Sequence, residues 1–187
     1  MKFKRVFCII LLAVACAFAL SSCLTKFEKQ MVGNYRITSL KINEVSLDTE
    51  LFFSRTEVVL TNKLQYTITV EFDQEYLHGT DARRKLEEIL KKYAHEGYNT
   101  NHGNATSEAE YLAELIDKVI DSIDDGYHFE GTFSNNTGKA VFKPSKKSED
   151  PAAYGFKKFE FGGDKLTMTG SGAQGVNIPS VFVFTKI

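Results

Sequence analysis

The sequence predicts a mainly β domain of the α+β class: an antiparallel up-and-down barrel of about eight strands with an inserted helical hairpin. Apolar and polar residues alternate strictly over 66–73, which predicts a strand with one buried and one solvated face. Between about residues 78 and 126 the apolar period changes from two to 3.6, which predicts helices. Strand patterns resume after this segment, so the helices interrupt the barrel.

Eight segments have the alternation or the aromatic and β-branched composition of strands: 35–42, 51–60, 66–73, 127–133, 139–142, 159–161, 166–169 and 181–187. Turn residues at 135–138 and 162–164 join two pairs of them as hairpins. Eight strands is the size at which a closed barrel encloses side chains or one small ligand. We therefore expect a small closed barrel.

The insert over about 78–126 is predicted to contain two helices. One face of the first helix holds Leu86, Ile89, Leu90 and Tyr93. Ser107 and Glu110 have the spacing of a capping box, and Gly126 is a typical helix stop. The apolar stripe of the second helix consists of Leu112, Leu115, Ile116, Val119, Ile120 and Ile123. The polar linker 97–106 separates the helices, so the insert is an αα-hairpin.

The N-terminus has the pattern of an export signal. Lys2, Lys4 and Arg5 precede an uncharged apolar run over 6–20, which is shorter than the roughly 20 residues of a membrane-spanning helix. The following Leu20-Ser21-Ser22-Cys23 resembles the bacterial lipobox. This resemblance implies a signal peptide over 1–22, diacylglycerol on Cys23, a lipidated tether over 23–30 and a folded domain over 31–187.

An ordinary secretory peptide with an incidental cysteine is the alternative. Cys8 and Cys16 lie in the apolar run, so only Cys23 remains after cleavage and no internal disulfide forms. A lone thiol is a liability in an oxidising compartment, and acylation removes it. The cysteine pattern therefore favours lipidation of Cys23.

The charge balance and the residues after the lipobox predict the partners and the location. Cleavage after Ser22 removes three basic residues and changes the formal charge from −1 to −4, which disfavours nucleic acid as a partner. The predicted partner is instead a lipid bilayer, bound through acylated Cys23. In lipoproteins that this chain resembles, an aspartate after the cysteine signals inner-membrane retention, whereas this chain has Leu24. We expect the outer membrane, with the domain facing the periplasm.

The mature chain also resembles bacterial lipocalin-like lipoproteins. The resemblance spans about 31–187 and rests on successive hairpins, Gly33-Asn34-Tyr35 near the start and a closing Phe182-Val183-Phe184-Thr185-Lys186. It implies a calycin-type barrel and a non-catalytic protein that binds a small apolar molecule.

Inward-facing aromatic side chains are the candidate ligand-binding residues. The candidates are Tyr66, Phe72, Phe129, Phe133, Phe142, Phe159 and Phe161. The same side chains are equally able to fill the barrel, and a packed interior is the default of small barrels. Two functions stay open: a carrier of a small apolar molecule, and an accessory lipoprotein that binds an envelope protein through its surface.

The remaining chemistry-bearing residues predict neither an enzyme nor a metal or cofactor site. No pair among His78, His95, His102 and His128 has the spacing of a zinc motif. The sequence contains no Gly-x-Ser-x-Gly elbow, and lipid occupies the one mature cysteine. The glycine-rich 170–175 lacks the lysine of a phosphate loop, so we predict no cofactor.

Overall fold

The computed structural model describes residues 24–101, 103–123, 126–136, 139–147, 150–171 and 178–187. The predicted signal peptide, Cys23 and His102 lie outside these residues. The strands are β1 Gly33–Ile42, β2 Val45–Leu47, β3 Phe53–Leu60, β4 Gln65–Phe72, β5 Tyr127–Asn136, β6 Lys139–Pro144, β7 Phe156–Gly162, β8 Lys165–Gly170 and β9 Ser180–Lys186. The helices are α1 Lys26–Met31, α2 Thr49–Phe52, α3 Gln74–Leu77, α4 Thr80–Asn101 and α5 Glu108–Ile123, with a 3₁₀ turn over Pro151–Tyr154.

Eight of these strands form a nearly closed antiparallel barrel. The strand order is β6-β5-β4-β3-β1-β9-β8-β7, so consecutive strands pair from β3 to β6 and from β7 to β9, and β9 returns to β1. The short β2 pairs with the end of β1 outside this path. The predicted up-and-down barrel and its helical insert are confirmed. The insert lies between β4 and β5.

Local differences from the prediction have local causes. Residues 51 and 52 belong to α2, because the Asp48 carboxylate caps a helical turn before β3 begins. Helix α4 continues to Asn101, so it occupies half of the predicted linker. Gly126 ends the insert with φ of 69°, as predicted, and a Cβ there would clash with the carbonyl oxygen of Val70.

Large apolar side chains fill the barrel interior. The residues with at most 2% exposure include Tyr35, Leu40, Val58, Leu60, Tyr66, Ile68, Val70, Phe129, Phe133, Leu166, Met168 and Phe184. Full burial of one such aliphatic or phenylalanine side chain contributes roughly 1.5–3 kcal/mol. The packed interior expected of a small barrel is therefore observed.

The barrel is open along one seam, between β6 and β7. Backbone hydrogen bonds join β6 to β5 and β7 to β8, but no ladder joins β6 to β7 within these two described strands. Aromatic rings span the seam instead: the centroids of Phe142 and Phe159 lie 4.5 Å apart, and those of Phe129 and Phe156 lie 5.8 Å apart. Ring packing of this kind contributes about 0.5–1.5 kcal/mol per pair beyond burial. Side chains thus close the barrel where the backbone does not.

Helix α1 plugs the end of the barrel at which β1 begins and β9 ends; we call this the plugged end. Residues 26–30 were expected to belong to the tether, but Thr25 and Glu28 form a capping box that starts a helix here. The Glu28 carboxylate also accepts a hydrogen bond from the Asn135 amide at 3.2 Å. The hydrogen bond from the Thr25 backbone amide is the main reason why the Glu28 pKa is lowered. The ionised carboxylate therefore stabilises the docked helix. Met31 is buried beneath it.

Candidate functional site

Helices α4 and α5, which we call the lid, cover the opposite end of the barrel. Helix α4 buries Ala82, Leu86, Ile89, Leu90 and Ala94. Helix α5 buries only Ile116 and Ile120 and leaves the rest of its stripe half-buried. The two helices pack closely, since Gly97 lies so near Tyr111 that a Cβ would be 2.6 Å from the tyrosine oxygen. Helix α4 therefore holds α5 in place.

Asn43 fastens the lid to the barrel. It lies in the two-residue turn between β1 and β2, where Asn43 and Glu44 have φ of 49° and 66°. The Asn43 side-chain amide donates to the Ile89 carbonyl at 3.3 Å and accepts from the Tyr93 hydroxyl at 3.4 Å. Its backbone amide donates to the Pro179 carbonyl at 2.8 Å. One residue thus connects the lid, β1 and the segment before β9.

An apolar cavity of about 100 Å³, the mouth pocket, lies between the lid and the barrel mouth. The lid contributes Leu86, Val119 and Ile123. The barrel end and its connections contribute Leu40, Ile42, Leu47, Phe52, Phe72, Tyr127, Tyr154, Phe156, Gly170, Ile178, Ser180 and Phe182. Ligand pockets are typically apolar and concave with few polar groups, and this cavity has that composition.

Among the residues that the structure describes, no acidic or basic side chain lines the mouth pocket. Its side-chain polar atoms are the hydroxyls of Tyr127, Tyr154 and Ser180. Burial is the main cause that raises the Tyr127 pKa to about 12, so this phenol stays neutral at physiological pH. A charged group would lose its hydration here without gaining a counter-charge. The pocket therefore favours an uncharged, apolar group.

Two larger clefts lie in the barrel wall. One of about 780 Å³ opens between β1 and β3, which pair only between Gly33–Tyr35 and Val58–Leu60. The other, of about 440 Å³, lies along the β6–β7 seam. Exposed charged side chains such as Arg55 and Lys158 line them, so both clefts are solvated. The mouth pocket is the candidate functional site because its described lining is mostly apolar and carries hydroxyls as its side-chain polar groups.

The structure does not gather the seven predicted aromatic residues around one cavity. Tyr66, Phe129 and Phe133 are buried in the packed interior, and only Phe72 lines the mouth pocket. Phe142 and Phe159 line the seam cleft. Phe161 lies beside α1, with its ring centroid 6.1 Å from that of Tyr35. Alternation identified inward-facing positions, but it does not specify how far along the barrel axis each residue lies.

Most mouth-pocket residues were missed as candidate site residues. Leu86, Val119 and Ile123 were predicted only as helix stripes, and their position over the barrel mouth depends on tertiary packing. A signal was present in α5, whose apolar stripe is wider than one helix partner covers. Such a stripe indicates a second surface beneath the helix.

The described histidines have ordinary surface partners. A ring nitrogen of His95 lies 2.9 Å from a carboxylate oxygen of Glu108, and His128 lies 3.3 Å from the Thr69 hydroxyl. Within the part of the chain that the structure describes, no three histidine, cysteine or acidic residues converge on a possible metal position. In the same residues, no helix has both the length and the hydropathy needed to cross a bilayer.

Comparison with known proteins gives no relative for this chain: no protein-family model, no curated protein and no solved structure matches it.

We predict that Asn43→Gly loosens the lid. Glycine keeps the left-handed backbone and the bond to Pro179 but removes both side-chain bonds to α4. Loss of about 1 kcal/mol of lid attachment should accelerate amide exchange in α4 and α5 roughly fivefold. Hydrogen exchange measured by mass spectrometry checks this.

The matched control is Glu44→Gly, which changes the other left-handed residue of the same turn. Among the described residues, the Glu44 side chain forms no hydrogen bond to the lid. It should leave lid exchange unchanged. Equal acceleration in both variants would show that the turn, and not the Asn43 side chain, holds the lid.

Proposed function

We propose that the chain is a membrane-anchored, lipocalin-like lipoprotein of the bacterial envelope that binds the end of one slender apolar chain between its lid and its barrel mouth. The single observation that carries the proposal is the uncharged mouth pocket beneath Leu86, Val119 and Ile123. The role is non-catalytic binding of an acyl or other hydrocarbon group.

The size of the pocket supports a narrow ligand. Its volume of about 100 Å³ is below the roughly 300–1,000 Å³ of pockets that take drug-sized molecules. The barrel interior beneath it is filled, so a ligand does not enter deeply. Each buried methylene contributes about 0.8 kcal/mol, so a few carbons give modest affinity. The half-buried Val119 and Ile123 leave room for α5 to shift outward around a longer chain.

The proposed anchor is the acylated Cys23, on the periplasmic face of the outer membrane. The motif Leu20-Ser21-Ser22-Cys23 after the apolar run supports it. Leu24 and Thr25 then lead directly into α1 on the barrel surface. A lipid on Cys23 would thus lie a few residues from the folded domain.

An accessory role is the second candidate, and the filled interior favours it. Helix α5 leaves Leu112 and Leu115 half-buried on the lid, and neither lines the mouth pocket. Binding of an envelope protein to this part of the lid would bury both side chains. In that case the mouth pocket would be a packing defect without a ligand.

For the anchor, we predict that intact-mass analysis of protein extracted from membranes finds a chain that begins at Cys23 and carries acyl groups. Cys23→Ser should give an uncleaved or soluble product without acyl mass, because serine cannot form the thioether. A soluble, unmodified wild-type chain that begins elsewhere would contradict the anchor.

For the pocket, we predict that Val119→Trp weakens the binding of decanol at least tenfold, because the indole fills the mouth pocket. Decanol is an uncharged single chain, and calorimetric titration of residues 24–187 measures its affinity. Lys118→Trp is the matched control, since it adds the same ring to the exposed side of α5.

Unchanged affinity in the control together with weaker binding by Val119→Trp would support a ligand pocket. If wild-type protein fails to bind decanol, or both variants bind it equally, the carrier function is wrong and the accessory role is preferred.

A further inference from the structure

The plugged end of the barrel carries an unusual excess of lysine. The basic side chains there are Lys26, Lys29, Lys63, Lys139, Lys165 and Lys186. The carboxylates in the same segments are Glu28 and Asp164. Glu28 is buried and accepts hydrogen bonds from Thr25 and Asn135, so Asp164 is the exposed acidic side chain among the described residues at this end.

These lysines point to one shared surface because each lies on or beside a connection at the same end. Lys26 and Lys29 are exposed on α1, and Lys63 lies in the β3–β4 turn. Lys139 begins β6, and Lys165 follows the β7–β8 turn. Lys186 is half-buried, since its ammonium donates to the Gln30 carbonyl at 3.1 Å, so it contributes less to the surface.

The lidded end has the opposite charge. Its described connections carry the carboxylates Glu44, Asp48, Glu50, Asp73, Glu75 and Asp150 and the basic residues Lys146 and Lys147. The lid over 80–123 also has more acidic than basic residues. The folded domain is therefore electrically polarised along the barrel axis, although the chain after residue 22 is acidic as a whole.

The chain toward Cys23 leaves the domain at the basic end. Thr25 caps α1, and Leu24 precedes it, so at most a few residues separate the candidate acyl group from Lys26 and Lys29. A residue spans at most about 3.6 Å, so the anchor keeps this end within about one Debye length of the bilayer. The lysine-rich surface and the chain that leads to Cys23 thus lie at the same end of the barrel.

We propose that the plugged end is a membrane-facing surface that lies on anionic lipid headgroups and turns the lid and the mouth pocket away from the bilayer. The inference rests on the proposed anchor at Cys23. Its partner is a bilayer surface that contains anionic lipid. Each basic residue near such a surface strengthens association with it roughly fivefold, which is enough to orient a tethered domain. The acidic lid is repelled by the same surface.

The test imposes the anchor chemically. Residues 23–187 contain one thiol, that of Cys23, which is coupled to a maleimide-bearing lipid in vesicles. The vesicles are phosphatidylcholine alone or phosphatidylcholine with one third phosphatidylglycerol. Brief acetylation followed by mass spectrometry gives the labelling rate of each lysine. On the anionic vesicles we expect roughly fivefold slower labelling of Lys63, Lys139 and Lys165, and unchanged labelling of Lys91 and Lys92 on the lid.

Two charge-reversed variants isolate the surface. Lys26→Glu with Lys29→Glu should abolish the protection of Lys63, Lys139 and Lys165, whereas Lys91→Glu with Lys92→Glu changes the total charge equally and should preserve it. Equal labelling on both vesicles, protection of the lid, or equal loss in both variants would overturn the inference. Chemical coupling replaces natural acylation in this test, so its result does not depend on whether cells acylate Cys23. Failure of the proposed anchor would be seen instead in the intact mass of the cellular protein.

Discussion

Packing of aromatic rings across the β6–β7 seam is the interaction on which this barrel depends. Backbone ladders connect the other neighbouring barrel strands, so the meander would be an open sheet if rings such as those of Phe142 and Phe159 did not pack across the seam. Closure in turn brings the inward faces of opposite strands together and fills the interior. A filled interior leaves the barrel mouth as the place where an apolar cavity remains, and the helical lid covers that mouth. The seam, the core and the location of the candidate site are thus linked.

The sequence predicted the barrel and its insert because both patterns are local. Alternation over 66–73 and the helical period after residue 78 record which side chains are buried within one element. The seam was not predictable in this way, since it depends on whether two strands meet after the whole sheet has curved. Helix α1 was predictable and missed: Thr25 and Glu28 have capping-box spacing, but the expectation of a tether obscured it.

The candidate site was less predictable than the fold. Inward-facing aromatics were identified correctly as barrel residues, yet Tyr66 and Phe133 fill the core and only Phe72 reaches the mouth pocket. The pocket lining combines the lid with ten other elements and connections, so its residues are distant in sequence. Asn43 illustrates the limit: its turn is recognisable from sequence, but its bonds to Ile89 and Tyr93 span about fifty positions. Likewise, the separation of lysines and acidic residues along the barrel axis becomes visible only when each connection between strands is assigned to one end of the barrel.

Amide hydrogen exchange, resolved residue by residue by NMR, tests most directly whether side chains rather than backbone close the barrel. The account predicts rapid exchange for the amides of β6 and β7 that face the seam, and strong protection for the amides that join β1 to β9. This rapid exchange at the seam should be observed under conditions in which near-ultraviolet circular dichroism shows that the aromatic rings are immobilised. Seam amides as protected as those between β1 and β9 would reveal a continuous backbone ladder and contradict the account.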